Sequence, residues 1–211
     1  MKNEVAGLCM FLTLLAISAV AEEGVVLLKN GSFENPMDVE NWTCDQPAQW
    51  IRWGNWMNRE TGWRPTKQGE CLIGFHHFRL KGEDNAGFYQ DVRDAQKNQQ
   101  YTFSIWAWID KDANAEDVRL EIHSDHGGSV ITSKVFRLSR FDRDQWVQLS
   151  ITGSSPDDGL RLMVIANPKK NAAFPKGAIK FDVASLEKTV DSAAALPKPN
   201  PVGMRSINRT K

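Results

Sequence analysis

Ten short runs of β-branched, aromatic and aliphatic residues, each closed off by Gly, Asn, Asp or Pro, constrain this chain more than any other feature. They cover residues 24–28, 49–53, 71–75, 87–92, 101–109, 118–123, 130–138, 146–152, 160–166 and 179–186. No segment of useful length repeats at the helical period, so the pattern predicts an all-β sandwich. Alternation is clearest over 101–109, where Tyr101, Phe103, Ile105, Ala107 and Ile109 share one face and Thr102, Ser104, Trp106, Trp108 and Asp110 the other. In the next run Val118, Leu120 and Ile122 alternate with Arg119, Glu121 and His123. The short connection between these runs predicts neighbouring strands with coincident polar faces.

The ends of the chain differ from this middle. Val5 to Val20 is an uncharged apolar run of 16 residues, and Ala19-Val20-Ala21 offers small residues before Glu22-Glu23. Being shorter than the ~20 residues of a membrane-spanning helix, it reads as a signal peptide over 1–21. That leaves a domain over 22–188, expected to be secreted, periplasmic or on the cell surface. Residues 189–211 are Ala-rich, then carry Pro197, Pro199 and Pro201, then turn basic, and read as a flexible tail. No second apolar segment suggests a membrane partner after signal removal. Lys plus Arg and Asp plus Glu number 26 each, and no periodic segment carries a basic stripe, which excludes a nucleic-acid partner. Cys44 and Cys71 are expected to form a disulfide in an oxidising compartment, closing a 28-residue loop, with free thiols as the alternative. Such a loop is worth roughly 3.6 kcal/mol in the chain-entropy picture.

Of the eight tryptophans, Trp50, Trp53, Trp56 and Trp63 fall within 14 residues, and Trp106 and Trp108 share a strand face. Packing accounts for some of them, and Trp42 and Trp146 are read that way. The others suit a sugar platform, because a pyranose presents axial C–H groups to the negative face of an aromatic ring. Such a site also needs donors and acceptors for hydroxyls. On this reading Trp106 and Trp108 form the platform, Arg119, Glu121 and His123 orient the sugar, and Trp53, Trp56 and Trp63 form a second wall. The competing reading buries the platform beneath the loop carrying those three tryptophans.

Several motifs then resemble the carbohydrate-binding modules of the family 4, 9 and 22 type. The opening Leu28-Lys29-Asn30-Gly31-Ser32-Phe33-Glu34 with Asn41-Trp42 is similar to their start, and Gly87-Phe88-Tyr89-Gln90-Asp91-Val92 to their Gly-x-x-Gln-x-Val strand. Tyr101 to Trp106, Trp146-Val147-Gln148-Leu149 and Phe181 to Leu186 resemble later strands in the same order, over residues 26 to 188. The resemblance implies a jelly roll that binds polysaccharide or oligosaccharide without catalysis. Such modules usually occur as appendages to a glycoside hydrolase, which makes a separate carbohydrate-active enzyme a candidate partner, and the resemblance implies a structural calcium ion with Glu34 and Asp182 as side-chain ligands. Val183 stands where those modules carry a second aspartate.

Two other functions fit parts of this pattern. Exposed tryptophans also suit an adhesive or structural module that binds protein, although the polar rim favours sugar. A polysaccharide-degrading enzyme needs two carboxylates flanking the bond, for which Glu121 with Asp125 or Glu83 with Asp84 are the candidates. No G-x-S-x-G nucleophile motif is present.

Overall fold

A computed structural model of the protein describes residues 27–54, 57–76, 85–113, 115–169 and 177–189. The expected signal peptide, Trp56, Glu83 and Asp84, and the tail beyond Thr189 lie outside the described residues. The strands are β1 (Ile51–Trp53), β2 (Met57–Thr61), β3 (Cys71–Phe75), β4 (Ala86–Val92), β5 (Gln100–Ile109), β6 (Ala115–Ser124), β7 (Val130–Arg137), β8 (Trp146–Ser154), β9 (Leu160–Pro168) and β10 (Ile179–Lys188). Two single turns of 3₁₀ helix, Asp125–Gly127 and Leu138–Arg140, are the only helical elements among the described residues.

All pairings are antiparallel, in two five-stranded sheets. A front sheet runs β1-β4-β9-β6-β7 and a back sheet β2-β3-β10-β5-β8, giving the jelly-roll β-sandwich that the resemblance implied. The core fills the space between them. Phe88, Val118, Leu120, Ile122, Leu162 and Val164 enter it from the front, and Phe103, Ile105, Ile109, Ile179 and Phe181 from the back, all fully buried. Phe33, Trp50, Phe88 and Phe181 form its aromatic end, with ring centroids 5.3–5.7 Å apart. Each such side chain contributes roughly 1.5–3 kcal/mol by leaving water.

Three expectations need correction here. First, β5 and β6 are not neighbours: β5 pairs with β10 and β8, β6 with β7 and β9. Their short connection arches from the back sheet to the front, anchored where Asp110 N–H donates to Ala178 O at 3.0 Å and Ala113 bridges Gly177. A few residues span the ~10 Å between packed sheets as readily as they close a hairpin.

Second, the described end of the first expected strand, Leu27-Leu28, is not in a strand, while Met57–Thr61 is one that its composition hides. Its inward positions are Met57 and Arg59, so a buried arginine occupies a place where alternation would show an apolar residue.

Third, Cys44 and Cys71 are free thiols. The Arg59 guanidinium, 2% exposed, holds this region together instead. It donates to the carbonyls of Phe33 (2.8 Å), Glu34 (2.7 Å) and Trp42 (2.7 Å) and to Cys71 Sγ (2.9 Å), and lies 4.7 Å from the Trp42 ring centroid. Trp42 is 49% exposed rather than core. Burial pushes the Cys71 thiol up to about 11 against the opposing pull of Arg59, so at neutral pH it is the protonated, unreactive form.

Candidate functional site

Because side chains alternate along each strand, both sheets present an outer face, and the residues expected to form one site divide between them. Arg119, Glu121 and His123 project from the front sheet, opposite to Val118, Leu120 and Ile122. Trp106 and Trp108 project from the back sheet, opposite to Ile105, Ala107 and Ile109. The proposed combination of Trp106 and Trp108 with Arg119, Glu121 and His123 is therefore overturned.

The front face can be read from strand register as three cross-strand rows. Trp53, Gly87, Ile165, Arg119 and Val135 form one; Ile51, Tyr89, Met163, Glu121 and Ser133 the next; and Asp91, Arg161, His123 and Val130 the third. The half-buried Trp53 ring lies across β4, because Gly87 has no side chain: a Cβ there would come within 2.1 Å of the indole. Trp53 Nε1 donates to Asn85 Oδ1 at 3.4 Å, and its ring centroid is 6.3 Å from that of Tyr89.

The polar groups of this face are held in place. Arg161 stacks 4.1 Å from the Tyr89 centroid and grips Asp91 bidentately at 2.6 and 3.0 Å. These hydrogen bonds to Asp91 push the Arg161 pKa further up, so the guanidinium stays charged. Gly127, with φ +89°, lets the 3₁₀ turn approach, since a Cβ there would meet Arg161 Nη1 at 2.3 Å. Glu121, 8% exposed, binds His123 Nε2 at 2.8 Å and Arg119 Nε at 2.9 Å. Ser133 Oγ donates to it at 3.4 Å. Two aromatic rings thus border a floor of fixed donors and acceptors, with an open pocket of about 330 Å³ beside Tyr89, Asp91 and Ile51. Sequence reasoning missed Tyr89, Asp91 and Arg161. Their signal was period-two placement opposite buried Phe88 and Leu162.

The back face has more tryptophan and less freedom. Trp108 pairs in register with Trp146 and Lys180, and Trp106 with Gln148 and Asp182. Trp146 is half-buried on this face rather than core, its centroid 5.9 Å from that of Trp108. Trp63 comes from the loop after β2 and covers Gly74, where a Cβ would meet its ring at 2.6 Å. The polar edges are already engaged: Trp108 Nε1 donates to Asp110 Oδ1 at 2.9 Å, Lys180 Nζ donates to the same oxygen at 2.6 Å, and Lys67 Nζ sits 3.7 Å over the Trp106 ring.

Glu34 and Asp182 converge on the loop between β2 and β3. Asp182 Oδ2 accepts the N–H groups of Lys67 (2.7 Å) and Gln68 (2.9 Å), and Glu34 Oε1 those of Glu70 (3.1 Å) and Cys71 (3.0 Å). Burial pushes the Asp182 carboxyl up to about 6 in spite of these bonds, and the Glu34 charge adds to the rise. A buried carboxyl beside a second carboxylate is oxygen chemistry of the kind a calcium ion takes, although three of the four oxygens here already accept backbone N–H groups. No group of three or more His, Cys, Asp or Glu side chains gathers as a metal site among the described residues.

No family model and no curated protein matches the sequence. The fold has clear counterparts among solved structures. A cyclase from Fischerella sp. TAU superposes with a TM-score of 0.58 at 18% identity, covering 79% of this chain and 98% of that one. The carbohydrate-binding module TmCBM61, solved in complex with β-1,4-galactotriose, gives 0.54 at 16% identity, covering 78% and 99%. An α-L-arabinofuranosidase, MgGH51, solved with arabinose bound, gives 0.53 at 16%, covering 77% of this chain and 26% of that one. The chain therefore has the jelly-roll fold found in both a sugar-binding module and a cyclase.

Proposed function

We propose that the protein binds a polysaccharide or oligosaccharide without cleaving it, on the outer face of the front sheet. The observation that carries this reading is the convergence of Trp53 and Tyr89 with Arg161, Asp91, Arg119, Glu121 and His123 on one solvent-facing surface. The rings offer stacking surfaces for a pyranose, and the fixed charged groups offer donors and acceptors to its hydroxyls. The likeness in fold to a module solved with galactotriose supports the same ligand class.

Against catalysis stands the engagement of Asp91 and Glu121. Asp91 is gripped by Arg161, and Glu121 by Arg119 and His123, so neither is presented to a scissile bond as an acid or nucleophile. Calcium at Glu34 and Asp182 belongs to the same reading, as a structural ion bracing the loop that carries Trp63 and Lys67 against the back sheet.

Affinity electrophoresis of the protein through gels containing neutral β-glucans, xylans and galactans, followed by a reducing-sugar assay, tests the proposal. Retardation without sugar release is the expected result. Release of sugar would overturn the non-catalytic reading, and retardation that survives Tyr89→Ala and Trp53→Ala would remove the site from the front face.

A further inference from the structure

Outside both faces, one pocket of about 310 Å³ lies where β6 begins and β7 and β9 end, lined by Ala115, Glu116, Arg137, Ser139, Arg143 and Lys169. Three of its six residues are cationic and one is anionic, in a chain whose net charge is zero. The lone carboxylate, Glu116, reaches Arg137 at 3.5 Å with both side chains at least half exposed, a contact too solvated to neutralise the pocket. Among the described residues Arg143 Nη1 is buried with no hydrogen-bond partner, and neither Arg143 nor Lys169 makes an ion pair. A buried guanidinium donor left unpaired loses its hydration without compensation, and an oxyanion entering the pocket would restore that bond. The Ser139 hydroxyl adds a neutral donor, and the volume sits at the lower end of the range for ligand sites, enough for one substituted sugar residue.

The pocket continues the front sheet. Arg137 and Asn167 are the register partners of Asp117, one step along β6 from the row of Arg119. At about 3.3 Å per residue, Glu116 lies roughly 17 Å from Glu121, the reach of a short oligosaccharide. We propose that this pocket binds an oxyanion carried on the glycan, a carboxylate or a sulfate ester, so that the preferred ligand is an acidic polysaccharide. The inference rests on the front-face reading for the position of the chain, while the pocket's own anion affinity stands apart from it.

Two measurements separate these. In the first, sodium sulfate titrated against thermal stability at matched ionic strength should raise the midpoint of the wild type more than that of an Arg143→Gln/Lys169→Gln variant. Equal rises would overturn the pocket, since sulfate stabilises proteins in general through exclusion. In the second, retardation by polygalacturonate and by a sulfated galactan is compared with that by the corresponding neutral polymers at low salt. The wild type should prefer an acidic polymer by about tenfold, as one or two charge-assisted hydrogen bonds supply. The double variant should lose that preference and keep its neutral binding. Polygalacturonate and the sulfated galactan tell carboxylate from sulfate. An acidic preference that survives in the double variant overturns the proposal, whereas loss of all glycan binding with a retained sulfate difference overturns only the front-face reading. Lys169→Gln alone, an exposed change that leaves the core untouched, should already halve the preference if the double variant proves unstable.

Discussion

The outer faces of the front and back sheets use similar residues to different ends. On the back sheet Trp106 and Trp108 are met by the protein's own cations and carboxylates, Lys67 capping one ring and Asp110 taking both Trp108 Nε1 and Lys180, while Trp63 lies over Gly74 and Trp146 packs against Trp108. Among the described residues the outer face of the front sheet carries two large aromatic side chains, Trp53 and Tyr89. They border charged groups fixed on one another across the strands, with open space beside them. Tryptophan count is thus a poor guide to a sugar site. What distinguishes the faces is whether the polar neighbours hold each other in an array or are consumed in covering the rings.

The largest test of this difference is truncation of the rings. Tyr89→Ala and Trp53→Ala should each weaken glycan binding by about 30-fold or more, the ~2 kcal/mol of an interface anchor. Trp108→Ala should leave affinity within about twofold while lowering the thermal midpoint, because its ring packs on Trp146 and its Nε1 bonds Asp110. Isothermal titration and a thermal melt on the same preparations decide it, and a loss of binding in Trp108→Ala would return the site to the back sheet.

A smaller effect is expected from Glu121→Gln. The amide keeps the shape but lacks the charge that fixes Arg119 and His123, so donors that are preorganised now become mobile. Affinity should fall about tenfold, near 1.4 kcal/mol, with the stoichiometry unchanged. An unchanged affinity would show that this array is scaffold, as on the back sheet.

Much of the sandwich could be read from the sequence because strands with one buried face repeat every second residue. Nine of the ten expected runs overlap strands of the structure, and the sheets carry the alternation of β5 and β6 as written. The site was not legible in the same way. Alternation tells which residues share a face of one strand, but not which sheet that strand joins, and β5 and β6 lie in different sheets where a hairpin is expected. Alternation therefore groups Arg119, Glu121 and His123 with one another, as the front sheet does, but cannot part them from Trp106 and Trp108 on the back sheet. The Arg59 network was hidden for another reason: most of its hydrogen-bond partners are backbone carbonyls, which leave no mark in a sequence. The expected disulfide failed at the same place, since spacing constrains how far apart two cysteines are along the chain and not where their side chains end.

If the back sheet is chiefly structural, its titration should appear in stability and not in binding. Asp182 has a folded pKa of about 6 against an unfolded value of 3.8, so the native state binds the proton more tightly. Its charged form opposes folding above pH 6, and stability rises as pH falls from 7 towards 4. Between pH 7 and 5 the linkage relation gives a gain on the order of 1 kcal/mol from this group. Asp182→Asn should remove the gain. Calcium, if it binds Glu34 and Asp182, should raise the midpoint at pH 7 and flatten the same dependence, and chelator should reverse both; a midpoint indifferent to calcium would dismiss the ion. Glycan affinity over this range should not follow the Asp182 curve.

The smallest effect is expected one residue further on. Val183 has φ 49°, a left-handed conformation that a β-branched residue adopts only under constraint. The constraint is visible: Asp182 Oδ1 accepts Val183 N–H at 2.7 Å, Ala184 N–H donates to Gly31 O at 2.8 Å, and the strand bulges between Asp182 and Ser185. Strain of this kind costs on the order of 1–2 kcal/mol, and Val183→Gly would relieve it. Glycine also gives the unfolded chain more freedom, which takes back roughly 0.5–1 kcal/mol, so the net gain should be about 0.5 kcal/mol, a rise of one or two degrees in the melt. Glycan binding should not change at all, because β10 reaches the front face nowhere. A Val183→Gly protein that melts higher yet binds less would mean that the bulge in the back sheet sets the shape of the front one, and the two faces could no longer be treated as separate.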